Sequence, residues 1–136
     1  MKKLSLVVFC FSILSGCKPE PVPIEFGHDS CHHCKMTIMD PKFGGEIVTK
    51  KGKVFKFDDV HCIAVFLERR GVELSDIHQT LFTDYNNSNE FIKVNSVEFV
   101  VSSQFKSPMG GNAAAFKNKA EANKKSAEIE GSKVTN

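Results

Sequence analysis

Tryptophan is absent from this chain and Tyr85 is its single tyrosine. A core therefore has to be built from phenylalanine, of which there are twelve, two of them among the first sixteen residues. No stripe of basic residues with interleaved aromatics is present, so nothing points to nucleic acid as a partner. No second CxxC accompanies Cys31 and Cys34, which excludes a four-cysteine zinc module. No activated serine and no convincingly placed pair of acids offers a catalytic constellation, and the chain reads as a protein without catalysis of its own. Beyond the first sixteen residues there is no apolar run long enough to span a bilayer.

That first stretch reads as an address. Lys2 and Lys3 make a basic start, Leu4 to Leu14 is an apolar run of signal-peptide length, and Leu14-Ser15-Gly16-Cys17 looks like a bacterial lipobox. The expectation is cleavage after residue 16 and lipidation (palmitate among the acyl groups) at Cys17. The protein would then be anchored in the periplasm. Lys18 after the cysteine resembles the signal for sorting to the outer membrane. Removal of residues 1–16 takes Lys2 and Lys3 away and leaves sixteen basic against sixteen acidic residues, so the mature chain is formally neutral. Residues 17–26 follow as a tether, with proline at 19, 21 and 23 favouring extended polyproline II. Residues 27–136 suffice for one compact domain and not for two.

Within that domain, Cys31-His32-His33-Cys34-Lys35-Met36 concentrates two thiols, two imidazoles and a thioether, with His28 before it and Met39 after. Thiolate and thioether together select Cu(I), whereas zinc takes cysteine, histidine and carboxylate. In an extended segment Cys34 and Met36 share a face. A structural disulfide, a thioredoxin-like redox pair and a zinc site completed by nearby histidines also fit the Cys31-x-x-Cys34 spacing. A redox pair normally opens a helix after a strand, but here Pro23 and Gly27 precede it and Asp40-Pro41 follows. With Cys17 lipidated, three thiols remain, and an odd number suits a metal ligand better than a disulfide framework. Cys62 would sit in the first turn of a helix, as a buried apolar residue or a ligand. His61 faces either the same site or solvent.

The remaining pattern predicts an α+β fold. Residues 46–50 and 53–57 read as a hairpin around Gly52. Asp58 or Asp59 caps a helix over 60–70, with Arg69 and Arg70 in its last turn and Gly71 as its stop. Strands are expected near 78–83, 91–94 and 97–101, then a helix over 112–130, with Phe116 in the place Phe66 takes in the first. Lys133-Val134-Thr135 would begin a closing strand. The order suggests a β-β-α-β unit used twice. Ser107-Pro108-Met109-Gly110-Gly111, between the second hairpin and its helix, is a turn that either packs Met109 inward or presents its sulfur.

Taken in order, Cys31-x-x-Cys34-x-Met36-x-Ile38-x-Asp40, Phe57-Asp58-Asp59, Thr83-Asp84-Tyr85, Ser107-Pro108-Met109-Gly110-Gly111 and Ala115-Phe116 resemble the NosL family of copper lipoproteins. The resemblance implies two ββαβ units and a periplasmic Cu(I) carrier that helps deliver copper to nitrous oxide reductase. Its partners would be an ABC-type copper-site maturation complex, the apo reductase, or both. It also implies copper ligation by Cys34 and Met36, with Met109 as the third sulfur. Cys31, His33 and Cys62 are additional donors, and Lys35 occupies a position where the family commonly has glycine. A thiol-disulfide oxidoreductase using Cys31 and Cys34 is the alternative.

Overall fold

The computed structural model describes residues 18–136, so the signal segment and the lipidation expected at Cys17 lie outside the described residues. The chain folds as the expected α+β arrangement. Strands β1 (Gly45–Thr49) and β2 (Val54–Phe57) form the first hairpin, with Val48 opposite Val54 and Gly52 turning the chain at φ 81°. That left-handed conformation costs glycine nothing. Helix α1 (Val60–Glu68) starts at Asp59, whose Oδ1 accepts the His61 N–H at 2.9 Å, the N-cap role for which aspartate is suited. Strand β3 (Ile77–Thr83) returns antiparallel to β1, and β4 (Phe91–Lys93) extends the sheet to the order β2-β1-β3-β4.

The second unit repeats the first. Strands β5 (Glu98–Val101) and β6 (Ala113–Phe116), helix α2 (Lys119–Ala127) and strand β7 (Lys133–Thr135) give a sheet in the order β6-β5-β7, matching β2-β1-β3. The units meet where Asp84 bridges to Ala115, where Tyr85 N–H reaches the Ala115 carbonyl at 2.9 Å, and where Phe82 stacks edge-on to Phe99. One core lies under α1, built on Ile47, Phe55, Phe57, Ile63 and Phe82. The other lies under α2, built on Phe43, Val100, Phe105 and Phe116. Phenylalanine does supply the aromatic packing, with Phe66 about equally close to Phe55 and Phe57, at 5.0 and 5.1 Å between ring centroids.

Several expectations are corrected. The helix expected over 112–130 is split: residues 113–116 are strand β6, and α2 begins only after Asn118. Alanine is the best helix former, but Ala113, Ala114 and Ala115 pair with Val101, Val100 and Phe99 of β5, and tertiary pairing overrides propensity. Phe116 therefore corresponds to Phe57 at the end of a second strand, not to Phe66 in a helix. The Ser107–Gly111 loop then lies inside the second hairpin, not after it, and the strand at 91–93 belongs to the first sheet. At the end of α1, Arg70 and not Gly71 takes the left-handed conformation, at φ 54°. Gly71 is required for another reason, since a Cβ there would enter the Phe66 ring.

Packing also begins before residue 27. Ile24 is buried and Phe26 packs against the first core, while Val22 N–H donates to Glu46 Oε2 at 3.2 Å. Glu46, on β1, is fully buried and its Oε1 has no partner. Burial pushes its carboxyl up to about 7, against the pull of the Val22 N–H and of Lys56. The native state thus keeps a proton that the unfolded chain, ionising near 4.5, gives up. Stability is therefore lost as pH rises from 4.5 through 7, by on the order of 3 kcal/mol. Denaturant unfolding at pH 5 and pH 8 is expected to show this loss in the wild type and a smaller one in Glu46→Gln. Equal losses in the two proteins would contradict it.

Candidate metal centre

Cys31 and Cys34 lie on a tight reversal that precedes β1. Ser30 bridges to Thr37, Cys31 N–H donates to the Met36 carbonyl at 2.8 Å, and Lys35 N–H returns to the Cys31 carbonyl at 3.0 Å. Closing this turn puts Lys35 at φ 67°, a conformation that costs a non-glycine residue about 1 kcal/mol. It explains why a glycine suits this position. His32 fastens the turn to the edge of β2: its N–H donates to the Lys56 carbonyl at 2.8 Å, and its Nδ1 accepts the Lys56 N–H at 3.0 Å. Burial lowers the His32 pKa, keeping the ring neutral for that accepting role. This function of His32 had no signal in the sequence, because its partner stands far along the chain.

The third thiol comes from α1. Cys62 is fully buried in the helix's first turn, and Asp58, also buried, directly follows β2. One ligand atom from each of Cys31, Cys34, Cys62 and Asp58 lies within 4.8 Å of all the others. Cys34 Sγ donates to Asp58 Oδ2 at 3.3 Å, and Asp58 Oδ1 is buried without a partner. All three cysteines are free thiols. Burial, then hydrogen bonds involving Cys31 and Asp58, pushes Cys34 up to about 11, although the Met36 backbone pulls the other way. Burial, followed by the Asp58 contact, raises Cys62 as well. These neutral thiols wait for a cation to replace their protons, since the thiolate is the metal-binding form.

The methionines differ in how far they are enclosed. Met36 is 47% exposed and Met39 69%. Met109 is half-buried against the first core. Its N–H donates to Asp59 Oδ2 at 2.8 Å and Gly111 N–H reaches the same oxygen at 3.4 Å. The loop of the second unit is thus tied to the residue next to Asp58, and only glycine fits at 111, since a Cβ there would meet Asp59 Oδ1. His33 is half-buried and outside the group of mutually close ligand atoms, and His61 is exposed. Of the expected donors, the structure brings Cys31, Cys34 and Cys62 into one group. Met36 is about half exposed, and the Met109 backbone is bound to Asp59, the residue after Asp58.

A domain of two ββαβ units with three thiols and a carboxylate gathered within 4.8 Å has the make-up of a metal-binding module. The family model for NosL matches residues 21–136, and the chain belongs to the NosL family. The fold is similar to that of the copper chaperone NosL from Shewanella denitrificans, with a TM-score of 0.71 and 25% identity over 86% of this chain and 92% of that one. No curated protein sequence matches significantly.

Two measurements probe the centre. At pH 8 the Cys34 thiol should alkylate roughly a hundredfold more slowly than a free thiol, because its thiolate is about that much rarer. Asp58→Asn should shift the pH midpoint of that reaction downward; an unshifted midpoint would remove Asp58 from the thiol's environment. Separately, Lys35→Gly should stabilise the fold by about 0.5 kcal/mol in thermal unfolding. Lys35→Val should cost at least ~1 kcal/mol, because a β-branched residue tolerates this conformation worst. The reverse order would show that the turn is not strained.

Proposed function

We propose that this protein is a copper chaperone that carries Cu(I) and releases it to a partner. The observation that carries the reading is the convergence of three thiols on one point, with Met36 two residues from Cys34 and about half exposed. Soft sulfur donors of both kinds favour Cu(I) over zinc and over hard ions. Membership of the NosL family, and the copper chaperone among the similar structures, support the same reading. The finer role is copper supply for assembly of nitrous oxide reductase, either to the apo reductase or through an ABC-type maturation complex. The setting is the periplasm, with the chain held to the outer membrane by lipid on Cys17. Because Val22 is already bound to Glu46, the free tether is residues 18–21, a reach of only about 12 Å in an extended chain.

In this reading Cys34 is the central ligand, with Met36 and Met109 as thioether donors. One thiolate neutralises one Cu⁺, and thioethers add soft coordination without the grip of further thiolates. Exchange is thereby kept fast. A thiol-disulfide oxidoreductase is disfavoured by the chemistry of Cys34. An attacking cysteine needs a lowered pKa, and this one is pushed up to about 11.

Cys34→Ser is expected to weaken Cu(I) binding at least tenfold, ~1.4 kcal/mol, in competition with a chromogenic chelator. Met36→Leu should slow copper transfer to that chelator. If the wild type instead reduces a disulfide substrate efficiently, retains no copper and is indifferent to Met36→Leu, the oxidoreductase is the correct reading.

A further inference from the structure

We infer that Cys31, Cys34 and Cys62 form an inner Cu(I) position, behind the rim of thioethers, that shares Cys34 with the outer set. The inference rests on the copper reading above and adds to it a second place for the ion. The three sulfurs come from two separate parts of the chain, the turn before β1 and the first turn of α1, and their ligand atoms already lie within 4.8 Å of one another. A metal bound at about 2.3 Å to each sulfur needs them roughly 3.8 Å apart. Small side-chain rotations therefore suffice, with no movement of backbone. Cys31 and Cys62 are 1% and 0% exposed, so an ion held there is out of contact with water.

A buried carboxylate supplies the second observation. Asp58 lines the same cluster, takes the Cys34 thiol hydrogen on Oδ2 and leaves Oδ1 buried with no partner. An unpartnered buried carboxylate oxygen is costly where it stands, which marks this spot as built for more than packing. Carboxylate is a hard donor, so Asp58 stays outside the Cu(I) ligand set and acts on it through charge. Loading replaces three thiol protons by one Cu⁺ with no change in oxidation state, the protons leaving to solvent; the loaded cluster then carries 2− beside Asp58, and that repulsion favours passing the ion outward to neutral thioethers. Cys34 is the one thiol of the three that is partly exposed. It is the step between the buried sulfurs and Met36, and copper moves outward by exchanging Cys31 and Cys62 for thioether.

The test uses the full chain, purified reduced and without oxygen in detergent, and Cu(I) alone as probe. Met36→Leu/Met109→Leu removes the outer thioethers while leaving every thiol in place. This double variant is expected to keep one Cu(I) per chain, with three sulfur neighbours by X-ray absorption, and to release it to a chelator at least tenfold more slowly than the wild type. Cys31→Ala/Cys62→Ala is expected to lose at least tenfold in Cu(I) affinity and to show no more than one cysteine sulfur at copper. If that variant fails to fold by circular dichroism, the absorption measurement on the thioether-free variant decides alone. A thioether-free variant that binds no copper, or binds it with two or fewer sulfurs, overturns the inner position and leaves the carrier reading standing. A wild type that binds no Cu(I) overturns both. Zinc that occupies the thiols and Asp58 and resists displacement by Cu(I) would make the cluster a structural zinc site and also overturn the inference.

Discussion

The Asp59 carboxylate holds three backbone N–H groups at once, those of His61, Met109 and Gly111. One oxygen caps α1 and the other receives the loop of the second hairpin. Since the side chain is fully buried, these bonds are shielded from water and compete with little else. Each charge-assisted bond of this kind contributes more than a neutral one. Remove them and the β5–β6 loop has no fixed place relative to the first unit. The backbone of Met109 is thereby fixed to the residue next to Asp58. Its neighbour Asp58 points the opposite way chemically, toward the thiols, so two adjacent carboxylates divide the tasks of joining the units and facing the site.

The thiol cluster is tolerated in the core because it is neutral when protonated. Cys31 and Cys62 pack in the first core alongside Ile38, Phe57 and Ile63 as small apolar side chains would. The raised Cys34 and Cys62 pKa values are the expression of that packing: burial opposes the thiolate, and the Asp58 carboxylate opposes it further. Protonated thiols carry no charge, so burying them among apolar side chains costs little.

Much of this was legible in the sequence where local chemistry decides. The hairpin around Gly52, the cap before α1 and the soft donors at 31–36 each announce themselves within a few residues. What the sequence hid was set by distant partners. Ala113-Ala114-Ala115 has helical character alone and becomes a strand because β5 offers a free edge. His32 looked like one more donor and is instead a clamp on Lys56. Cys62 could be read as core or ligand from its helix position, and only folding shows that it meets Cys31 and Cys34. Gly71 looked like a helix stop, but the Phe66 ring, not backbone conformation, requires it.

The two units share a topology and differ where the site is. Between β1 and β2 the chain turns in residues 50–53, whereas between β5 and β6 it runs through residues 102–112 and carries Met109. The caps differ in parallel. Asn118 at the start of α2 has one acceptor oxygen, and it is used on the Glu121 N–H, while the amide nitrogen turns to the Glu121 carboxylate. Asp59 in the equivalent place has two acceptor oxygens, and the second is free for a segment from outside its own unit. An amide there would present a donor to the Met109 and Gly111 N–H groups and repel them. A pseudo-symmetric scaffold needs only a cap. The choice of acid over amide at one of its two caps, matched to the longer hairpin of the other unit, is what lets one carboxylate cap a helix and fasten the two repeats together beside the thiol cluster.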